Sequence, residues 1–326
     1  MKVVIPGGTG QVGTILARAF HAGGDEVVIL SRRPGDAPWR VVKWDARTVA
    51  AWASELEGAD AVINLAGRSV DCRYTPSNRQ EILTSRVEST RAIGAAISRC
   101  SRPPRVWLQM STATIYAHRF DAANDEETGI LGGAEGNAPA AWRFSIEVAR
   151  AWEAATEETV TPHTRKLLLR TAMIMSPDRG GVFDTLLRLV RFGLGGPAAG
   201  GRQYMSWLHG VDFINAVRWL IEHEEMSGAV NLAAPQPLPN ADFMRALRAA
   251  WRIPVGLPAT RWMVEAGALA MRTESELVLK SRRVVPARLM GSGFEFQFPD
   301  WPAAARDLCG RWRAGAAPLV DSSPAV

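Results

Sequence analysis

Apolar runs of about five residues alternate along the chain with longer stretches in which apolar residues recur at helical spacing. Residues 1–5, 26–30, 40–44, 61–65, 105–110, 165–174 and 229–233 are rich in Val, Ile and Leu and are mostly bounded by Gly, Pro, Ser or Asp, so each predicts a strand. Between them, residues 14–21, 80–97, 140–156, 182–192 and 212–222 predict helices, with further helices near Thr48 and after the cap-like Asn240-Ala241-Asp242-Phe243. Strands separated by helices from the N-terminus onward predict an α/β fold, a doubly wound parallel sheet. The run at 61–65 is apolar enough to be buried on both faces, as parallel strands are. Beyond Ser176 the rhythm changes, and the apolar helices and short strands after residue 233 predict a smaller C-terminal α+β lobe.

The first strand leads straight into Gly7-Gly8-Thr9-Gly10-Gln11-Val12-Gly13 and a helix. Such a turn aims free N–H groups and the positive end of a helix dipole at one point, where a phosphate binds. Gly7, Gly10 and Gly13 allow the turn, close ligand approach and tight helix–strand packing. Gly7, Thr9, Gly10, Gln11, Val12 and Gly13 are therefore candidate dinucleotide contacts. The second strand ends in Ser31-Arg32-Arg33, all donors, where an NAD site usually carries a carboxylate for the ribose; this favours NADP over NAD. Asp45, ending the third strand, is either an adenine contact or a helix cap. Leu65-Ala66-Gly67, ending the fourth, would let ribose and pyrophosphate approach the backbone. The fifth strand delivers the hydroxyl-rich Ser111-Thr112-Ala113-Thr114-Ile115-Tyr116 to the edge where open α/β sheets bind ligands. Ser111 is read with the cofactor, and the acidic, glycine-rich loop at 121–137 as a mobile cover over the pocket.

Residues 1–173 thus form the expected dinucleotide-binding domain, with 205–233 returning to it. Residues 174–204 and 234–313 make the substrate-side lobe, and 314–326 a flexible tail. Composition narrows the function classes. The net charge of +5 comes from scattered arginines, since lysine occurs only at positions 2, 43, 166 and 280, and no basic stripe with interleaved aromatics suggests nucleic-acid binding. Cys72, Cys100 and Cys309 are widely spaced and odd in number, which argues against a disulfide framework or metal site. With no signal peptide and no run of about 20 apolar residues, a cytoplasmic protein with a small-molecule ligand and no membrane partner is expected. Nothing in the sequence indicates an oligomeric state.

These motifs, with Trp-Leu-His-Gly-Val-Asp at 207–212, resemble the extended, epimerase-like branch of the short-chain dehydrogenase/reductase superfamily. Ser85-Arg86-Val87, Gly193-Leu194-Gly195-Gly196-Pro197, Asn231-Leu232-Ala233-Ala234-Pro235 and 281–286 resemble a group called NAD-dependent epimerase/dehydratase family proteins, which carry a C-terminal domain of their own. The resemblance implies hydride transfer on a dinucleotide. It makes Thr112 the counterpart of the catalytic serine or threonine, unless it caps local backbone. It makes Tyr116 the counterpart of a strand-end tyrosine, for which packing is favoured over catalysis. His209 matches a loop-holding histidine near Asp212, and His118 is a candidate replacement acid. The superfamily's Tyr-x-x-x-Lys pair is missing: the corresponding helix reads 142–150 without either residue, and no lysine lies between Lys43 and Lys166. An NADP(H)-binding oxidoreductase is one reading, a non-catalytic dinucleotide sensor another, and a nucleotide-sugar epimerase a third that leans on the absent pair.

Overall fold

The computed structural model describes residues 1–135 and 139–315. The tail expected at 314–326 and the end of the loop expected at 121–137 lie largely or partly outside the described residues. In chain order the elements are β1 (Lys2–Pro6), α1 (Gln11–Ala22), β2 (Glu26–Ser31), β3 (Arg40–Lys43), β4 (Ala61–Asn64), α2 (Pro76–Ile97), β5 (Val106–Thr112) and α3 (Ala140–Glu157). There follow β6 (Arg165–Thr171), β7 (Met173–Met175), α4 (Val182–Arg191), β8 (Tyr204–Met205), β9 (Trp207–His209), α5 (Gly210–Glu222) and β10 (Gly228–Leu232). The chain ends with β11 (Leu238–Pro239), α6 (Asn240–Trp251), α7 (Arg261–Ala270), α8 (Glu276–Leu279), α9 (Ala287–Gly291) and α10 (Trp301–Arg313).

Seven parallel strands form one sheet in the order β10-β6-β5-β4-β1-β2-β3. The order reverses at β1, which pairs β2 on one side and β4 on the other, so the C-terminal ends of these three strands meet at the switch point. Strand alternation divides the core. Val3, Ile5, Val27, Ile29, Leu167 and Leu169 pack under α1 and α5 on one face, whereas Val4, Val28, Val62 and Trp107 pack under α2 on the other. A separate core joins α4, α6 and α10 around Phe183, Trp207, Phe243, Trp301 and Leu308. In the C-terminal lobe β11 pairs antiparallel with β8, and the described chain beyond β11 is helices and loops.

Two expected elements differ. The run at 165–174 is two strands, because after Thr171 the chain leaves the sheet and β7 pairs β9 instead. Both pieces are buried or half-buried, so the apolar pattern carries no mark of the change of partner. The helix expected near Thr48 is a short 3₁₀-helix at Ala51–Leu56 with no side-chain cap. No helix among the described residues is long and apolar enough to cross a membrane.

Candidate functional site

The glycine turn is built as its composition requires. Gly7 has φ +75°, and a Cβ there would stand 2.7 Å from the backbone of Ala66. A Cβ on Gly13 would collide with the backbone of Gly8, so this glycine sets the helix–turn packing. Gly10 faces open space, its nearest would-be contact being Gly7 O at 3.8 Å. As the N-cap of α1 it offers no side-chain cap, and the first turn holds no acidic residue, so the helix's positive end is uncompensated. Thr9 and Gly10 are exposed, Gln11 and Val12 half-buried. Gln11 Nε2 is buried without a hydrogen-bond partner among the described residues, lying against Gly181 at the start of α4.

Beside this turn, Ser31 Oγ lies 3.4 Å from Thr9 Oγ1 and accepts from Arg33 N at 3.2 Å, which folds the chain back after β2. Arg32 and Arg33 are exposed, and neither guanidinium has an acidic partner among the described residues. On the other side of β1, Leu65 N donates to Pro6 O and Ala66 N to Asn64 Oδ1, which brings Leu65, Ala66 and Gly67 against the turn. An uncapped helix end, a strand end bearing two arginines without acidic partners among the described residues, and a small-residue strand end thus adjoin, and these groups fit a phosphorylated dinucleotide.

Other candidates are placed elsewhere. The Asp45 carboxylate accepts from Arg47 N, Thr48 N and Thr48 Oγ1, and the last of these chiefly holds its pKa down at about 2. It closes a local turn, as the helix-cap alternative expects, while the side chain stays exposed. Ser111 is buried and its hydroxyl donates to Glu153 Oε1 at 2.6 Å. Tyr116 is 2 % exposed; its hydroxyl donates to Asn231 Oδ1 at 2.9 Å and accepts from Arg170 Nη1 at 3.1 Å. Burial raises its pKa, and the hydroxyl is engaged as both donor and acceptor within the protein. Glu153 and Arg170 complete this buried network through two parallel bonds of 2.9 and 2.8 Å.

Thr112 is half-buried at the end of β5 and its Oγ1 accepts from Thr114 N at 3.2 Å, leaving its own proton to donate. His118 accepts from Ser281 N at its Nδ1 (2.8 Å) and packs against Trp142 and Phe120. Burial and the nearby Lys280 lower its pKa, so it is neutral at pH 7 and linked to the C-terminal segment. His209 caps α5 by accepting from Val211 N and faces Asp307 of α10 at 3.1 Å, while Asp212 accepts from Gln297 N and Phe298 N. Both hold the lobe to the sheet domain.

A second group of residues, absent from the sequence reading as site residues, gathers over the ends of β4 and β5. The segment 280–285 crosses there as a strap. Lys280 Nζ donates to Thr114 O at 2.8 Å, Arg282 Nε to Thr114 Oγ1 at 3.1 Å and Asn231 Nδ2 to Val285 O at 2.9 Å. Asn124 N donates to Arg283 O and Val285 N to Asn124 O, which pins the described part of the loop expected to be mobile. Beneath the strap, Ser145 of α3 donates to Glu276 Oε2 at 2.5 Å, and Tyr74 Oη lies 3.4 Å from Ser145 Oγ. Glu276 Oε1 makes no hydrogen bond among the described residues and stands 3.9 Å from Lys280 Nζ and 3.8 Å from Arg282 Nη2. The motif at 281–286 was the one signal in the sequence that pointed here.

Burial, aided by Arg282, pushes the Lys280 ammonium down to about 8. Below that pH the cost of burying the charge is fully present. Between it and about pH 10.4 the unfolded chain binds the extra proton, so stability rises with pH. Lys280→Met is expected to flatten this rise by roughly 2 kcal/mol between pH 7.5 and 10. Urea unfolding at both pH values checks it, and equal pH slopes in the two proteins would refute it.

Comparison with known proteins agrees with this architecture. Residues 3–233 match the NAD dependent epimerase/dehydratase family, and residues 259–308 match a domain of unknown function, DUF1731. The human epimerase family protein SDR39U1 is 30% identical over 311 residues, covering 94% of this chain and 99% of the human one. A crystal structure of human SDR39U1 (isoform 2) with NADPH superposes with a TM-score of 0.83 at 29% identity, covering 95% of this chain and 99% of that one. The fold alone is shared with a UDP-N-acetylglucosamine 4-epimerase from Bacillus cereus, at 16% identity and a TM-score of 0.72, over 96% of this chain and 99% of that one. The chain belongs to the NAD dependent epimerase/dehydratase family, the extended branch of the short-chain dehydrogenase/reductase fold.

Proposed function

We propose that the chain binds NADP(H) at the switch point and acts as an oxidoreductase on a small carbonyl or alcohol. The observation that carries this reading is the pair of unpartnered guanidinium groups, Arg32 and Arg33, next to the uncapped end of α1. The NADPH bound by the human relative supports it. Residues 1–173 with 205–233 hold the dinucleotide, and the lobe formed by 174–204 and 234–313 closes the substrate side. NADPH, when bound, supplies a hydride. Thr112 directs its free hydroxyl proton at the substrate oxygen. In place of the missing pair on α3, Tyr74 is the proton donor: its hydroxyl turns from Ser145 Oγ, 3.4 Å away, to the substrate, while Ser145 stays bonded to Glu276. Burial raises the Tyr74 pKa, so at neutral pH the phenol keeps its proton to give.

Energy transfer from tryptophan to the nicotinamide measures both cofactors. Arg32→Ala/Arg33→Ala is expected to weaken NADPH by roughly 10- to 100-fold while NADH changes by less than about twofold. Unchanged NADPH affinity, or tighter NADH binding by the parent, would overturn the phosphate assignment. The sensor reading rests on one observation, an α3 with neither tyrosine nor lysine. Tight NADPH binding without NADPH oxidation across a carbonyl library would favour it.

A further inference from the structure

Arg86 is a half-buried cation with no anionic partner among the described residues. It projects from α2 against Gly67, where a Cβ would lie 3.1 Å from its Cζ, so the guanidinium borders the proposed dinucleotide cleft at the end of β4. It makes two hydrogen bonds, both from Nη1, to the carbonyls of Arg68 and Ile82 at 3.0 Å, and lies over the Trp152 ring at 4.9 Å. Nε and Nη2 have no partner among the described residues. Acids on the surrounding elements already answer other cations: Glu81 pairs with Arg68, Glu88 with Arg47, Glu153 with Arg170 and Glu274 with Arg73.

The neighbourhood deepens the imbalance. Tyr74 is within electrostatic range of both Arg86 and Arg282, and across from it Lys280 and Arg282 share the Glu276 carboxylate. Arg86, Lys280 and Arg282 therefore gather near Glu276, with Glu135 also in electrostatic range of Lys280, and neither carboxylate forms an ion pair with Arg86 among the described residues. Burial lowers the Arg86 pKa to about 10, which leaves it charged at neutral pH. A guanidinium fixed by a ring stack and two carbonyls, with one N–H edge free, matches the planar geometry of carboxylate or phosphate.

We propose that Arg86 anchors the substrate through an anionic group, a carboxylate or phosphate received by Nε and Nη2, so that the substrates are anionic carbonyl compounds or alcohols. This deepens the oxidoreductase reading and rests on it for the cleft that Arg86 borders. Calorimetric titration of oxalate and of inorganic phosphate into the full chain, with and without NADP, tests the proposal. Oxalate or phosphate is expected to bind the parent, the tighter of the two identifying the group, and added KCl to weaken it. Arg86→Gln is expected to weaken that anion by at least about tenfold, and Arg86→Lys, which keeps the charge but loses the fork, by at least about threefold. NADPH affinity is expected to stay within about twofold in both variants.

The proposal is overturned if the parent binds neither anion in either state, or if both variants match the parent. It is also overturned if NADPH affinity falls as far as anion affinity, since Arg86 would then serve the cofactor's own phosphates. Should the parent fail to bind NADPH while anion binding still follows Arg86, the cofactor reading falls and the anion site stands.

Discussion

Glu153→Gln is expected to lower the unfolding free energy by about 3–5 kcal/mol, because it leaves the Arg170 guanidinium charged, buried and without its carboxylate. The Glu153 and Arg170 side chains are only 9% and 10% exposed, and Arg170 also serves the Tyr116 hydroxyl. The loss reaches further than one pair, since Ser111 and, through Tyr116, Asn231 depend on the same two groups. Urea unfolding at pH 7 measures it. The double variant Glu153→Leu/Arg170→Met, which removes both charges while filling the space, is expected to recover most of the loss. A double variant as unstable as Glu153→Gln would show that shape, and not the unpaired charge, sets the cost.

Trp301→Ala is the second large effect, expected at about 3–5 kcal/mol from lost burial and the cavity left behind. Trp301 follows the Asp300 cap of α10, is fully buried, and stacks on Phe243 at 3.9 Å with Trp207 edge-on at 5.0 Å. Its indole N–H donates to Phe243 O at 2.8 Å, a bond that Ala also deletes. Trp301→Phe keeps part of the ring contact and is expected to lose clearly less. A loss below about 1 kcal/mol for the alanine variant would mean that the lobe repacks without this ring.

The strands that build the sheet were legible because each is a short apolar run ending at a turn residue, and the glycine turn because its steric demands appear as glycines. Harder to read were features that depend on partners distant in sequence. Helix α2 begins at Pro76, four residues before its apolar periodicity, behind a Thr75 side chain that accepts from Asn78 N. The first turn behind that cap is polar, so apolar spacing alone does not mark it. Ser111 and Thr112 both looked available at the end of β5. Adjacent strand residues point to opposite faces, so only one could face the cleft, and pairing with Glu153 of α3 decided which. Tyr74, Ser145 and Glu276 lie in three separate segments and meet only in the fold, so no spacing rule brings them together.

The strap at 280–285 also has a consequence for the order in which the protein is made. Its bonds to Thr114, His118, Asn124, Ser206 and Asn231 all reach back to residues synthesised long before it. A nascent chain that has emerged through β10 holds all seven strands and the glycine turn, yet its β5 end stays bare and the core under α5 still lacks Leu289 and Phe294. Completion of the β5 end is therefore a late, near-terminal step of biosynthesis, and a ribosome stalled before Lys280 would hold a chain whose strand ends are still uncovered.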